Sequence, residues 1–486
     1  MKRYLVLAAL LLALSALSLG LVSAFVSKDE ANLDYRTTVL YGDPARAGNA
    51  VLSLEIGTGN HLFWDAEYEL LTGAWSADFD YSPKGRQERW NSPVGSMNVY
   101  FSGNFGIGST PGFDLDGGDD HFTDTPFAEV IRDAASSVGA GERRSVTVHL
   151  SDYFDIQPFS CELNMNNACI YVETAENDGY QVYDVMSGLD GSVYDELCQK
   201  ISEFFAIPVP ENAVARITIE KSGAGLVTDI EFASDGLADC VPAGVEGENG
   251  MYFAARFSDA GGNAVVPACG SGVYVIPYAY DEKLGLKLAL PGEVRLFAGL
   301  PASAAPLYMD FSDDGSELIV LTSEDGGIVC RTFSAETGAE LQRLETVPLH
   351  GGEYLNGIFR GDGFIVVVTE SEVCVIDRDA LGRLRRALRA PTGEDSILSG
   401  RQMYGRTDYM TFDFDGERLI AAAVARRETE DGHMYPAMSD IIASVFSGGE
   451  HVCTVLAESA QKYLPELQYK MQCRPYGDGA LRAKLY

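Results

Sequence analysis

Phe311–Thr322 reads FSDDGSELIVLT, Phe359–Glu370 reads FRGDGFIVVVTE, and Phe412–Val424 reads FDFDGERLIAAAV. Each stretch places an aromatic residue before a polar Asp-Gly pair and an apolar run after it. Asp-Gly suits a tight hairpin because Gly accepts positive φ without steric cost. The apolar runs are β-branched or small, and they predict buried strands. The register continues past the turn in the first two copies. Residues 328–348, IVCRTFSAETGAELQRLETVP, match residues 373–391, VCVIDRDALGRLRRALRAP. Cys330 stands before Gly338 at the same spacing as Cys374 before Gly382. Each unit therefore reads as a hairpin around Asp-Gly, a third strand, a Gly-containing turn and a fourth strand.

Working outward, other segments share this character: ARITIEK from Ala215, GVYVIPYAY from Gly272 and SVFSGGEHVCTVL from Ser444. Closely spaced strands punctuated by Gly, Asp and Asn predict a mainly β array rather than alternating βαβ units. A repeat of about 40–50 residues with four strands is the mark of a propeller blade. The pattern resembles the WD40-like and YVTN-type β-propeller repeats of exported bacterial proteins, whose blades carry an aromatic-Ser-Pro-Asp-Gly turn before an apolar strand. In FSDDG, Asp313 stands where Pro is usual; in FDYSPKG at Phe79, Lys84 replaces Asp. The good matches run from Ala305 to Leu456. The resemblance implies an all-β propeller. It also implies that Cys330 and Cys374 occupy equivalent places in adjacent blades, too far apart to be bonded to one another.

Two stretches depart from the β pattern. Thr125-Pro126 before FAEVIRDAAS reads as a cap and first turn, predicting a helix near 125–136 with Phe127, Val130, Ile131 and Ala134 on one face. Ser192 before VYDELCQKISEFF predicts a second helix near 192–205, with Val193, Leu197, Ile201 and Phe204 as its stripe and Pro208 as its stop. They read as insertions between blades, or as part of a separate N-terminal α+β unit ahead of a C-terminal propeller. The 145–221 region also resembles membrane-anchored proteins of Gram-positive bacteria, a resemblance that brings no activity with it.

At the N-terminus, Lys2 and Arg3 precede an uncharged run from Tyr4 to Val26, and Asp29, Glu30 and Asp34 follow it. As a helix the run would be roughly 35 Å long, enough to cross a bilayer core of about 30 Å. The charge asymmetry puts the N-terminus in the cytoplasm and the rest outside. The run reads as a transmembrane signal anchor in residues 1–27, longer than the usual signal-peptide core, with residues 28–486 as one extracytoplasmic propeller-like domain. The alternative is a signal peptide cleaved after Val22-Ser23-Ala24, giving a secreted protein. No Cys lies near the end of the run, which argues against a lipoprotein anchor.

The net charge is −35, which repels nucleic acid and anionic headgroups. Of nine cysteines at least one must lack an intramolecular partner. Cys161 and Cys169 bracket ELNMNNA, a hairpin-like turn, and form the best candidate disulfide. The default for the others, in runs such as EVCVI and HVCTVL, is a buried thiol acting as a small hydrophobe.

Candidate chemistry is sparse. GFDLDGGDDHFTD brings together Asp114, Asp116, Asp119, Asp120 and Asp124, whose oxygens could hold calcium. The spacing is not that of an EF-hand, and a solvated loop is the commoner fate of such a run. No HExxH, Gly-x-Ser-x-Gly, Walker or dinucleotide motif occurs. Arg378, Arg383, Arg385, Arg386 and Arg389 form one basic cluster, read either as a contact for an anionic envelope polymer or as a charged strand edge that blocks aggregation. Trp64, Trp75 and Trp90 could stack on sugars; core burial is the commoner use. The reading is a membrane-tethered ligand- or protein-binding module of the cell envelope, with an envelope protein or polysaccharide as partner and no nucleic acid. The alternative is a metal-dependent hydrolase, lactonase-like or carbohydrate-active, with its site in the propeller funnel.

Overall fold

The computed structural model describes residues 12–18, 20–21, 35–58, 62–81, 99–103, 126–163, 168–173, 180–183, 191–222, 225–233, 237–282, 286–349, 353–399, 407–425, 427–428, 434–435, 440–459, 474–475 and 481–486. The protein is mainly β, and its strand pairings among the described residues are antiparallel except for Ala168–Glu173 with Leu286–Ala289, which run parallel. It divides into two compact units, Met1–Ser92 with Thr346–Tyr486, and Pro93–Glu345.

In the first unit, Leu355–Arg360, Ile365–Thr369, Glu372–Arg378 and Leu384–Pro391 form a four-stranded meander in sequence order. Thr407–Phe414, Arg418–Ala425, Ile441–Ser447 and Glu450–Ser459 form the next sheet. The turns are those the Asp-Gly pairs require. Gly363 and Gly416 have φ of 77° and 99°. The Asp415 carboxylate accepts the N–H groups of Glu417 and Arg418 at 3.0 and 2.7 Å. Side chains then alternate between faces. Leu419, Ala421, Ala423 and Phe446 pack with Val366, Val368, Val373 and Val375 of the preceding meander. Ile420, Ala422 and Val424 pack on the opposite side with Leu52, Leu54, Ile56 and Trp64. Burial on both faces explains why LIAAAV is continuously apolar. Each fully buried Val, Leu or Ile contributes roughly 1.5–3 kcal/mol.

The chain ends close this unit reciprocally. Strand β1, Tyr35–Gly42, adds to the edge of the C-terminal sheet beside Glu450–Ser459. Strand β2, Ala50–Thr58, pairs on one side with Leu62–Glu69 and on the other with Leu481–Leu485, so the C-terminal strand completes the N-terminal sheet. Asp413 Oδ2 accepts the Leu485 N–H at 2.7 Å.

In the second unit, Ala305–Phe311, Glu317–Glu324 and Gly327–Ser334 form another meander, completed by Glu340–Pro348, a strand that runs across the unit boundary after Glu345. Its Asp-Gly turn has Gly315 at φ 70°, and Gly338 turns at φ 70° into the fourth strand. Met309, Leu318, Val320 and Phe333 pack on Val245, Tyr252, Ala254, Val273 and Val275 of a neighbouring sheet. The other face of that sheet carries Phe253, Tyr274 and Ile276, which bury Ile201 and Phe205 of the helix Gly191–Phe205. The helix Ala128–Ser136 lays Ile131, Ala134 and Ala135 on Ala215, Ile217 and Ile219 of the three-stranded sheet Arg143–His149, Val214–Ser222 and Gly225–Ala233.

Both predicted helices exist in this second unit, with altered ends. The first begins at Ala128 with Phe127 in the cap position, so Pro126 lies outside it. Phe127 is fully buried, edge-on to Tyr153 at 4.9 Å, and anchoring that ring fixes the start. The second begins at Gly191, so Ser192 is inside rather than flanking. It stops before Pro208 because Ala206 adopts φ 45°.

Among the described residues no pairing joins the strand of Cys161 to the strand of Cys169, against the expected hairpin. Phe159–Leu163 pairs with Val99–Gly103, while Ala168–Glu173 pairs with Tyr180–Tyr183 and Leu286–Ala289, so the two positions lie in different sheets. Cys330 and Cys374 are separate thiols, as expected, and both are buried. Burial pushes Cys374 up to about 12 and Cys453 up to about 11. They behave as inert small hydrophobes.

Much of the Tyr4–Val26 segment lies outside the described residues. Residues 12–18 are helical, and Leu12, Leu14, Leu17 and Leu21 are exposed. Among the described residues no helix is long and apolar enough to cross a membrane.

Candidate functional site

One rim of the 355–391 sheet concentrates polar groups on a locked scaffold. Strand Leu355–Arg360 is half-buried at every position, while Ile365–Thr369 is fully buried. At their shared end the Thr369 carbonyl accepts from Asn356 Nδ2 and from Thr392 Oγ1, each at 3.2 Å. Asn356 Nδ2 also reaches the Leu398 carbonyl at 3.3 Å. Thr369 Oγ1 accepts the Glu372 N–H at 3.1 Å. Glu353 Oε1 accepts the Ser371 N–H at 3.1 Å and its hydroxyl. Above this layer Tyr354 is 71% exposed, and Glu370 and Ser371 face solvent. A phenol ring, a carboxylate and a hydroxyl on a rigid rim can stack on and hydrogen-bond a polar ligand.

The second unit carries a different polar cluster at the end of Glu317–Glu324. Arg331 grips Glu324 with two guanidinium nitrogens, Nη2 reaching Oε2 at 2.8 Å, and Nη1 also donates to Thr322 Oγ1 at 3.1 Å. Both charged side chains are buried. Glu340 lies 3.5 Å from Arg331 Nε, and Arg343 lies 4.0 Å from Glu324. Burial alone would raise the Glu324 carboxyl. The bonds from Arg331 and Thr322, with the nearby positive charge, outweigh it and hold the group below its ordinary value. The next residue, Asp325, is strained at φ 45°. With its guanidinium spent on internal partners, this cluster is structural.

A third set resembles a catalytic chain in composition. His451 Nε2 lies 2.8 Å from Thr454 Oγ1, and Thr454 Oγ1 lies 2.7 Å from Ser444 Oγ. Both hydroxyl residues are 0% exposed, so no substrate reaches them. The set is a buried network.

The sequence-selected residues fall differently. The acidic stretch with Asp114, Asp116, Asp119, Asp120 and Asp124 lies outside the described residues, as does Trp90. Among the described residues no group of three or more His, Cys, Asp or Glu is arranged to hold a metal ion. Arg385, Arg386 and Arg389 lie on the outer strand Leu384–Pro391, Arg383 just before it and Arg378 at the end of Glu372–Arg378. Arg385 pairs with Asp377 at 2.7 Å, Arg383 with Asp379 at 2.8 Å and Arg389 with Glu372, while Arg378 donates to the Gly382 carbonyl at 2.8 Å. That is the charged-edge arrangement. Trp64 is buried in the core, and Trp75 packs edge-on against Tyr35 at 4.7 Å.

Sequence reading missed Tyr354, Glu370 and the Glu324–Arg331 pair. Arg331 lies opposite Val320 and Glu324 opposite Gly327, so the pair is diagonal across the hairpin and no directly facing opposite charges signalled it in the sequence.

No protein-family model matches the chain, and no curated protein matches it. Among solved structures, the periplasmic gluconolactonase of Pseudomonas aeruginosa matches at 14% identity, over 90% of this chain and 99% of that one, with a TM-score of 0.28. A putative 6-phosphogluconolactonase from Bacteroides uniformis matches at 12% identity, over 84% and 99%, with a TM-score of 0.26. The β-propeller domain of Cps50 (Swd1) from Myceliophteria thermophila matches at 8% identity, over 51% and 93%, with a TM-score of 0.21. At these scores the matches carry no argument about this chain.

Proposed function

We propose that the four-stranded repeats are propeller blades and that the chain is a binding module of the cell envelope, held outside the cytoplasm by its N-terminal segment. One observation carries the reading. Leu355–Arg360 is half-open along its whole length, while the next strand is sealed, and it ends at the rim that displays Tyr354. The first strand of a blade borders the central channel, where propellers meet ligands, and partial solvation is its expected state. The exposed leucines of residues 12–21 support a lipid-facing N-terminal segment.

The ligand class follows from the rim's chemistry. The net charge of −35 disfavours anionic polymers. A tyrosine face beside carboxylate and hydroxyl groups suits an uncharged envelope polysaccharide, with rings to stack and hydroxyls to donate. The test is binding of a fluorescent neutral envelope glycan to the full chain in detergent micelles. Saturable binding that weakens about tenfold in Tyr354→Ala supports the reading. Equal binding by both proteins overturns the assignment of the rim. Turnover of a lactone or glycan, abolished by rim substitutions, would favour a hydrolase instead.

A further inference from the structure

His451 lies on strand Glu450–Ser459, beside the edge strand β1. Its ring is stacked between Tyr41 of β1, centroids 4.5 Å apart with planes at 11°, and Phe446, at 5.1 Å and 30°. Nε2 faces Thr454 Oγ1, which faces Ser444 Oγ, and Ser444 Oγ accepts the Ile397 N–H at 3.0 Å. Nδ1 faces the Gly393 backbone, where an added Cβ would lie 2.7 Å away.

Each hydroxyl has one proton to give. Suppose neutral His451 carries its proton on Nδ1, the tautomer that satisfies the network. Ser444 then donates to Thr454, Thr454 donates to Nε2, and every proton in the chain is used. An imidazolium reverses the order. Nε2 donates to Thr454 and Thr454 donates to Ser444. Ser444 Oγ then accepts twice, from Thr454 and from Ile397, and its own proton loses the place it had in the chain. A buried cation and a displaced buried proton are introduced together.

We propose that protonation of His451 unlatches strand β1 from its sheet. The geometry makes β1 the element that yields. It is the edge strand, its register with Glu450–Ser459 is irregular between Val39 and Tyr41, and Tyr41 is the β1 residue stacked on the ring. The surrounding groups act in both directions. Asp395 on the neighbouring loop attracts an imidazolium, and Glu394 stands beside it in sequence. Asp43 follows β1; Arg46 and Glu450 pair with each other at 2.9 Å. On its own strand lie Glu450 and Cys453, whose backbone hydrogen bond to the ring favours the imidazolium more than Asp395 does, and the Tyr41 phenol completes the set. The faces of Tyr41 and Phe446 favour a cation. Burial outweighs these attractions and holds His451 below its ordinary value, so the neutral form is the native one.

The experiment is hydrogen exchange of the full chain in micelles at pH 7.5 and pH 5.5, corrected for the intrinsic pH dependence of exchange. Protection of residues 35–42 should fall about tenfold at the lower pH while Ile365–Thr369 keeps its protection. In His451→Gln, which cannot titrate, β1 should exchange equally at both values. If that variant does not fold, His451→Phe fills the same slot between the rings and serves instead. Unchanged or increased protection of β1 at pH 5.5 overturns the proposal, as does an equal loss in a folded variant.

Discussion

Arg418 joins the two ends of the first unit, donating from Nη2 to the Tyr486 carbonyl at 3.0 Å. Its Nη1 donates to the Ala47 carbonyl at 2.8 Å, and its Nε is held by Asp415 Oδ2 at 2.7 Å. One side chain beside an Asp-Gly turn therefore secures the segments on which the reciprocal strand exchange depends. Close approach needs Gly48, at φ 71°, where an added Cβ would stand 2.0 Å from Nη1.

Arg418→Ala should lower stability by about 2 kcal/mol, since hydrogen bonds from a charged donor are worth roughly 1.5–3 kcal/mol. Urea unfolding of the full chain measures it. Gly48→Ala should act on the same contact, so the double variant should cost less than the two single losses combined. Strict additivity would show that the clasp is not shared.

The Glu324–Arg331 pair has an asymmetric expectation. Arg331→Met leaves a buried carboxylate without its partner and should cost about 3–5 kcal/mol. Changing Glu324→Leu in the same chain should recover most of that loss. The sign of the pH dependence follows from the depressed Glu324 carboxyl. The native pair contributes stability above the carboxyl's ordinary value, and that contribution disappears as pH falls through the lower folded value. Denaturation midpoints between pH 6 and pH 3 should therefore fall more steeply for the native chain than for the Leu-Met double variant.

The Asp-Gly turns predict a local titration. Asp314 is held down at about 2 by bonds from the Ser312 hydroxyl and from Ser316. A carboxyl NMR titration should find it well below an ordinary Asp. Ser312→Ala should move it back toward the usual range, and an unmoved value would show that Ser312 does not control it.

These turns also show what could be read from the sequence. Positive φ at Gly315, Gly363 and Gly416 is local chemistry, and the apolar run after each turn needs only period-two alternation and burial to become a strand. The equivalence of Gly338 and Gly382 followed from spacing and held, at φ 70° and 75°. Strand exchange was not legible. Nothing in LRAKL at Leu481 marks it as the partner of AVLSL at Ala50, because that pairing comes from chain closure across the whole unit. The rim was illegible for a related reason. Tyr354 is one tyrosine among 24, and only the packing beneath it, from Asn356, Thr369 and Thr392, distinguishes its position.

Tyr354→Ala should change unfolding stability by less than about 0.5 kcal/mol, as expected for an exposed side chain. A large loss of stability would mean that Tyr354 holds the fold together rather than presenting a surface.

The proposed function requires the Tyr354 rim to face the outside of the cell. Tyr354→Cys treated on intact cells with a membrane-impermeant maleimide, and compared with the native chain, tests it most directly. Labelling without lysis is the expected result. Labelling that appears only after the cells are opened would contradict it.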